Sequence, residues 1–338
     1  MSGPQATVLI DAYNYGRFIE EAIESVLAQD FPASDMEILV VDDGSTDDTR
    51  ARVEKYQDRV KYVYKENGGQ ASAFNCGIAQ AKGELIFLLD ADDYWRPGKM
   101  RRVAEVFAQH PDAAMIYQSY DELDERSGRI GEHAAPIVSG FLPERKIDLI
   151  SYWIYPTSTL AFRREALRAV LPVPEGLKIQ ADAYLAALMV FLGPVLGLAE
   201  SLSVYRVHGE NLFYPRGGLG ERERVQRRIA TRQVFLDEVA RWLTRSGRDV
   251  RRDPVRSYLA QWELAQEEDR FRIATPSRIG IFWHLLKYPF YLGEGMSWRH
   301  QAVAYLDAFG ALILGYEHHG VVENLRQKVK EFLGAGPQ

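Results

Sequence analysis

Three aspartates within four positions, Asp90, Asp92 and Asp93, directly follow the apolar run of residues 85–89. That run has the length and bulk of a strand buried on both faces, as in a parallel sheet. Carboxylates at the end of such a strand lie at the sheet edge where open α/β sheets bind ligands. Because like charges this close repel one another and oxygen ligands suit Mg²⁺ or Mn²⁺, the pattern predicts a metal site. The alternative interpretation is a solvated acidic turn.

The first 90 residues repeat one pattern, in which a short apolar strand is followed by a helix. Strands are predicted at residues 7–10, 37–41, 60–64 and 85–89, and apolar residues at helical spacing predict helices between them. Such alternation forms a parallel sheet with right-handed crossovers. The strand ends bring these polar residues to one edge: Asp11, Tyr13, Asn14, Asp42, Asp43, Asn67, Gln70, Asp90 and Asp92. This convergence favours a ligand cleft over a chance acidic turn.

The pattern loosens after the third aspartate. A helix is predicted from near Pro97 to residue 110. Asp93 is predicted to cap the segment that contains residues 95–97. A strand is expected at residues 115–120, followed by a polar loop or hairpin at residues 121–131.

Five strings, in matching order and spacing, resemble the family 2 glycosyltransferases. They are residues 8–14 (VLIDAYN) with 18–27 (FIEEAIESVL), residues 37–47 (EILVVDDGSTD), residues 75–83 (NCGIAQAKG) and residues 88–93 (LLDADD). The resemblance is specific over residues 6–120 and weaker up to about residue 212. It implies the GT-A fold, an α/β fold with a Rossmann-like, mostly parallel sheet flanked by helices. It also implies an inverting transferase that uses a UDP-sugar with Mn²⁺ or Mg²⁺.

The resemblance gives the residues at the sheet edge separate roles. Asp43 matches the residue that recognises uracil, Asp90 one that contacts ribose, and Asp92 the ligand of the metal on the diphosphate. For Asp43 the alternative is a turn or cap residue. The family often has proline where Asp11 stands, and the consequence of this departure is left open.

Four further residues complete the predicted donor site. Tyr13 offers a ring for packing against the base, and Asn14 offers a polar edge. Gln70 lies in a loop that contacts the donor in the family, and the small Ala91 lets the backbone lie close to the nucleotide. A packed surface tyrosine is the alternative for Tyr13.

Asp182 is the predicted catalytic base. The family usually has Glu-Asp at this place, with the aspartate as base, whereas this chain has Ala181 before Asp182. An inverting transfer needs one carboxylate to take the proton of the acceptor hydroxyl, so the retained aspartate suffices for the chemistry. The alternative is an N-cap for an apolar helix at residues 183–192, in a nucleotide-sugar-binding protein whose catalysis is impaired.

His208 lies in a segment, residues 204–211 (VYRVHGEN), that matches the family's Tyr-Arg-x-His segment. The resemblance makes it a ligand of the metal or the diphosphate, since imidazole can complete such a site. The alternative is a structural histidine that closes a loop over the sheet. Arg206 is expected to pair either with phosphate or with a buried acid, and both options stay open.

Composition agrees with a globular enzyme of two parts, a catalytic domain at residues 1–215 and a helical region at residues 216–338. The net charge of −6 argues against a nucleic-acid surface, which favours clustered positive charge. The sequence has no secretory-signal pattern and no apolar run of membrane-spanning length. We therefore expect a cytoplasmic protein, with a place at the inner face of the membrane left open.

The helical appendage begins with eleven arginines among acids between Arg222 and Arg256, which is typical of a solvated helix face. Aromatic residues with interspersed cations follow between Phe271 and Tyr316. This stretch is expected to pack on the catalytic domain, to form a homodimer contact, or to make peripheral contact with a membrane.

The predicted function is sugar transfer to a saccharide or lipid-linked acceptor in bacterial cell-surface polysaccharide or glycolipid synthesis. Besides the impaired binding protein, the remaining alternative is a nucleotidyltransferase. That class favours a Gly-rich, basic loop near the N-terminus, whereas residues 13–17 carry one glycine and one arginine.

Overall fold

The computed structural model describes residues 3–133, 137, 139–141, 155–209, 211 and 221–251, and single positions between 255 and 270. These described residues fall into two compact units, one ending at residue 211 and the other starting at residue 221. The first unit is an α/β sheet, and the second contains a long helix. The boundary predicted at residue 215 lies between the two described units and stays a prediction.

The N-terminal half of the sheet is parallel, as its strand–helix alternation predicted. Strands β1 (Ala6–Ala12), β2 (Met36–Asp42), β3 (Lys61–Tyr64) and β4 (Leu85–Asp90) lie in the order β3-β2-β1-β4. Helices α1 (Gly16–Leu27), α2 (Thr49–Val53) and α3 (Gln70–Gln80) connect them. The central strands β1 and β4 are buried along almost their whole length, which explains why both are continuous apolar runs. All four strands end at the predicted edge.

Beyond β4 the sheet becomes mixed. Its order continues β4-β8-β6-β9-β5, with β7 paired to β6. The strands are β5 (Tyr94–Trp95), β6 (Met115–Asp124), β7 (Arg129–His133), β8 (Leu160–Arg163) and β9 (Val195–Val207). Strand β8 runs antiparallel to both its neighbours, whereas β9 is parallel to β6. The α/β class is confirmed, and the hairpin predicted at residues 121–131 forms between β6 and β7.

Two helices start differently from the prediction. Helix α4 (Lys99–Gln109) follows Gly98, whose φ of 87° needs glycine's freedom. Asp93 does not cap the segment of residues 95–97, because its carboxylate is bonded to Ser158 and Arg206. Between the short helix α5 (Arg164–Arg168) and β9, helix α6 (Ala181–Met189) has Gln180 as its N-cap. Asp182 accordingly stands inside the first turn, and its interpretation as an N-cap is wrong.

The second unit begins with helix α7 (Glu221–Arg245), which confirms a helix at the start of the arginine-rich stretch. Its arginines include both exposed and buried pairs. Arg227 pairs with Glu223 on the solvent face at 3.1 Å. Arg228 and Arg232 both bind the buried Asp269, the latter at 2.8 Å. The aromatic stretch of residues 271–316 lies outside the described residues, so its contacts stay predictions.

Within the part of the chain that the structure describes, no helix has the length and apolar character that crossing a membrane requires.

Candidate active site

The acidic end of β4 forms a compact cluster. Asp90, Asp92 and Asp93 each place a carboxylate oxygen within 4.8 Å of the others. A tight turn brings them together, since the Asp93 N–H donates to the Asp90 carbonyl at 3.1 Å. Ala91 is fully buried, and its N–H donates to the Asp11 carbonyl at 3.1 Å. The predicted convergence of these carboxylates is therefore present.

His208, one residue beyond the end of β9, contacts Asp92. Its Nε2 lies 2.9 Å from Asp92 Oδ2, and its side chain is fully buried. The ring packs edge-on against Tyr15, with centroids 5.7 Å apart, and against Phe18 at 5.0 Å. Asn211 adds an amide contact of 3.5 Å to the same carboxylate oxygen. Packing thus fixes the imidazole with one nitrogen directed at the aspartate that the resemblance assigns to the metal.

Asp93 is bonded on both carboxylate oxygens. The Ser158 hydroxyl donates to Oδ2 at 2.6 Å, and the Arg206 N–H donates to Oδ1 at 2.8 Å. Burial and the nearby charge of Asp92 raise the pKa of Asp93 well above its usual range. The Arg206 guanidinium donates to the Asp92 carbonyl at 2.8 Å and pairs with Glu21. Arg206 thus has an acidic partner, but Glu21 is exposed, whereas the prediction was a buried acid.

Ser158 joins the cluster to the core beneath it. Its hydroxyl, besides donating to Asp93, accepts from the Asp90 N–H at 3.1 Å. Its carbonyl accepts from Trp95 Nε1 at 3.0 Å, from the Ser203 hydroxyl at 2.8 Å and from the Lys99 ammonium. Lys99 is fully buried, so desolvation lowers its pKa well below the usual range. These contacts fix the turn that carries the aspartates.

A fourth acid, Asp11, lies beside this cluster. It stands opposite Asp90 in the register of β1 and β4, and the two side chains share a hydrogen bond. The other oxygen of Asp11, Oδ1, is buried without a hydrogen-bond partner among the described residues. Burial, together with the charges of Asp92 and Asp182, raises the pKa of Asp11 to about 7.

At the end of β2, Asp43 is buried and its carboxylate is extensively bonded. Lys65 donates to Oδ1 at 2.5 Å, and the backbone N–H of Gly69 donates to Oδ2 at 2.6 Å. The Gly68 N–H is shared between both oxygens at 3.0 and 3.2 Å. Asp43 therefore holds the loop after β3. A base N–H that binds it has to share or displace one of these donors.

Asn14 ties the ends of β1 and β2 together. Its side-chain oxygen accepts from the Thr46 N–H at 2.8 Å, and its own N–H donates to the Ser45 hydroxyl at 2.8 Å. Its φ of 57° is left-handed, which asparagine tolerates better than most residues. The neighbouring Tyr13 is 46% exposed, so its ring is open to a ligand at this edge.

Gln70 and Asp182 lie in one hydrogen-bonded group. Gln70 Oε1 accepts from the Ala181 N–H at 3.0 Å, and Nε2 donates to the Thr157 hydroxyl at 3.3 Å. Thr157 in turn lies 3.1 Å from Asp182 Oδ2. Burial raises the pKa of Asp182 above its usual value, while bonds from Thr157 and the Ala183 N–H lower it. The side chain of Gln70 is thus directed toward the predicted base.

Comparison with known proteins agrees with this arrangement. The profile of Glycosyl transferase family 2 matches residues 7–171. An uncharacterised glycosyltransferase of Nostoc sp. is 35% identical over 298 residues, covering 85% of this chain and 90% of the relative. The chain belongs to glycosyl transferase family 2.

Solved structures confirm the GT-A fold of this family 2 glycosyltransferase. Staphylococcus aureus TarS, solved in complex with UDP-GlcNAc, has a TM-score of 0.59 at 19% identity, covering 98% of this chain and 92% of that chain. A mannosyltransferase from Pyrobaculum calidifontis, in complex with GDP-Man and Mn²⁺, has a TM-score of 0.53 at 20% identity, covering 97% and 87%.

Sequence reasoning missed several residues that shape this family 2 site. Thr157 and Ser158 lie where the resemblance to the family is weaker, and nothing in their types indicates that one faces Asp182 and the other Asp93. Apart from its position after β3, nothing in the sequence indicated that Lys65 contacts Asp43. Asp11 carried the clearest signal, because it departs from the proline usual in family 2.

Proposed function

We propose that this family 2 glycosyltransferase is an inverting, metal-dependent enzyme. It transfers a sugar from a UDP-sugar to a hydroxyl group of a saccharide or lipid-linked acceptor in bacterial cell-surface polysaccharide or glycolipid synthesis. One observation carries the proposal. The consecutive residues Thr157 and Ser158 bond to Asp182 and to Asp93, so a single turn positions both the candidate base and the metal-side carboxylates.

Asp92 and His208 are the proposed metal ligands, with Asp90 beside them at the ribose. The donor set suits Mn²⁺ or Mg²⁺, because carboxylate oxygens lie within 4.8 Å of one another and an imidazole nitrogen lies 2.9 Å from one carboxylate. When bound, such an ion offsets the negative charge that develops on the leaving diphosphate. No protein acid is then needed for the leaving group.

Asp182 is the proposed base that takes the proton of the acceptor hydroxyl. Partial burial raises its pKa toward the range in which a carboxylate accepts a proton more readily. The interactions of Asp182 with Asp11 and Asp90 support its place near the donor edge. One base and one displacement at the anomeric carbon invert its configuration.

The donor preference rests on the nucleobase end of the cleft. Asp43 offers a carboxylate to the uracil N–H, and the exposed Tyr13 offers a ring for stacking. TarS, which shares the fold, was solved with UDP-GlcNAc, and this supports UDP as the carrier.

A thermal-shift screen tests the proposal. UDP, several UDP-sugars, GDP-mannose and nucleoside triphosphates are compared with Mn²⁺ and with EDTA, since a ligand of the folded state raises its melting temperature. We expect a metal-dependent shift with UDP-sugars, together with UDP release when an acceptor is supplied. Binding without turnover across a broad acceptor panel would favour the impaired binding protein. Pyrophosphate release from a triphosphate and a sugar phosphate would favour a nucleotidyltransferase.

A further inference from the structure

We infer that Thr157, held by Gln70, is a positioning residue for Asp182. Its hydroxyl holds Oδ2 of the carboxylate, so that Oδ1 is the oxygen that receives the proton of the acceptor. This inference rests on the proposed function, because it assumes that Asp182 is the base. It assigns a role to Thr157 and a new role to Gln70.

The hydrogen bonds among Gln70, Thr157 and Asp182 run in one direction. Gln70 Nε2 lies 3.3 Å from Thr157 Oγ1, which lies 3.1 Å from Asp182 Oδ2. An amide nitrogen only donates and an ionised carboxylate only accepts, whereas a hydroxyl does both with a single proton. Thr157 must therefore accept from Gln70 and donate to Asp182. A bond made with the ionised carboxylate favours the form that is ready to take a proton.

The side-chain amide of Gln70 has one orientation. Its Oε1 accepts from the Ala181 N–H at 3.0 Å, which requires the amide nitrogen to face Thr157. Its backbone is fixed as well, because the Gln70 N–H donates to the Lys178 carbonyl at 3.0 Å. The Lys178 ammonium donates to the Gly68 carbonyl at 2.6 Å. The loop before α3 is thus fastened to the loop before α6, which carries the base.

The burial of Thr157 and Ala181 supports the same role. Thr157 is 2% exposed, so water does not readily replace its hydroxyl. Ala181 is fully buried and carries no polar side chain that could orient its neighbour. Besides Thr157, the Ala183 N–H favours the ionised carboxylate of Asp182. The acids that interact with Asp182 across the sheet edge are Asp11 on β1 and Asp90 on β4.

Thr157→Val tests this role, because valine keeps the shape of threonine and removes its hydroxyl. We expect kcat to fall about tenfold or more, the size of one lost hydrogen bond to a charged group, with the KM for the donor within about twofold. Without the bond the ionised carboxylate is disfavoured, so the acidic limb of the pH–rate profile should move upward by about one pH unit. Thr157→Ser, which retains the hydroxyl, should restore most of the rate and the original limb.

Thr159→Val is the matched control. Thr159 lies in the same turn, is fully buried, and donates its hydroxyl to the Pro156 carbonyl at 2.7 Å instead of to an acid. The same substitution there should lower the melting temperature without moving the acidic limb. Comparing melting temperatures of both variants separates loss of fold from loss of positioning, and Thr157→Ala supplies a second variant if valine does not fit.

Two results would overturn the inference, and they differ. If the wild-type enzyme turns over and folded Thr157→Val or Thr157→Ala keeps its kcat and pH profile, Thr157 does not position the base, while the proposed function stands. If the wild-type protein shows no turnover with any nucleotide-sugar and acceptor, the proposed function fails and this inference fails with it.

Discussion

Asp11 and Asp90 face each other across β1 and β4 and share a hydrogen bond between their side chains. Burial raises the pKa of both carboxyl groups, and the charge of Asp11 raises that of Asp90 further, whereas the hydrogen bond with Asp90 lowers that of Asp11 in part. The pair consequently retains a proton near neutral pH and titrates as a unit. This arrangement depends on an aspartate at a position where family 2 often has proline.

Asp11→Asn should change how stability depends on pH. The folded-state pKa of Asp11, about 7, lies above the ordinary value of 3.8. The folded protein therefore binds this proton more tightly than the unfolded chain, and the resulting stabilisation is complete below about pH 4 and lost as the pH rises through about 7. In EDTA, we expect the variant to melt a few degrees above wild type at pH 8 and close to it at pH 4. Asp58→Asn, at an exposed site, is the control and should show no such difference. A variant that melts below wild type at pH 8 would contradict the assignment.

Asp92→Asn should abolish the metal-dependent part of donor binding, because it neutralises the carboxylate next to His208. Titration calorimetry with Mn²⁺ and a UDP-sugar measures this directly. Wild type should bind the donor more tightly with Mn²⁺ than in EDTA, and the variant should bind equally weakly in both. Undiminished activity of the variant in chelator would exclude a metal role for Asp92.

Asp182→Asn should lower kcat by about 10² or more while the donor affinity stays near that of wild type, as expected when a general base is lost. Glu175→Gln is the control, because Glu175 is exposed and the variant should turn over normally. Asp93 is a weak substitute for the base, since both its oxygens are bonded to Ser158 and Arg206. Proton NMR of the fresh product should show the inverted anomer. Full turnover by the Asp182 variant would show that another residue is the base.

Asp269→Ala should destabilise the second unit by about 3 kcal/mol, the lower end for breaking a buried pair, because it removes the buried carboxylate that Arg228 and Arg232 share. Urea unfolding followed by circular dichroism measures the free energy. Arg227→Ala removes an exposed pair on the same helix and should have little effect. Similar losses in both variants would show that the buried cluster is no more important than the surface pair.

The sequence was sufficient to predict the strands of the parallel half of the sheet. Residues 85–89 form a strand buried on both faces, and such strands are recognisable as unbroken apolar runs. The mixed half was not predicted beyond β6 and its hairpin, since the pairing of β8 between β4 and β6 depends on contacts far apart in the chain.

The candidate site likewise has features that the sequence predicted and features that it did not. Residue types and spacing predicted that Asp90 and Asp92 converge, because both follow one strand. The same information did not reveal that Asp93 is held by Ser158, 65 positions away, or that Thr157 reaches Asp182. Such partners are set by tertiary packing, and no local period encodes them. The prediction that Asp93 caps residues 95–97 was wrong for this reason.

Residues 68–71 connect the two ends of the cleft mechanically. Gly68 and Gly69 donate to Asp43, the proposed contact of the uracil, and Gln70 bonds to Ala181, which precedes the proposed base. We expect a nucleobase that displaces one of these donors to shift the segment that aligns Asp182, and linkage makes the effect reciprocal. We expect ordered addition, with the donor bound before the acceptor, so that UDP inhibits competitively against the donor alone.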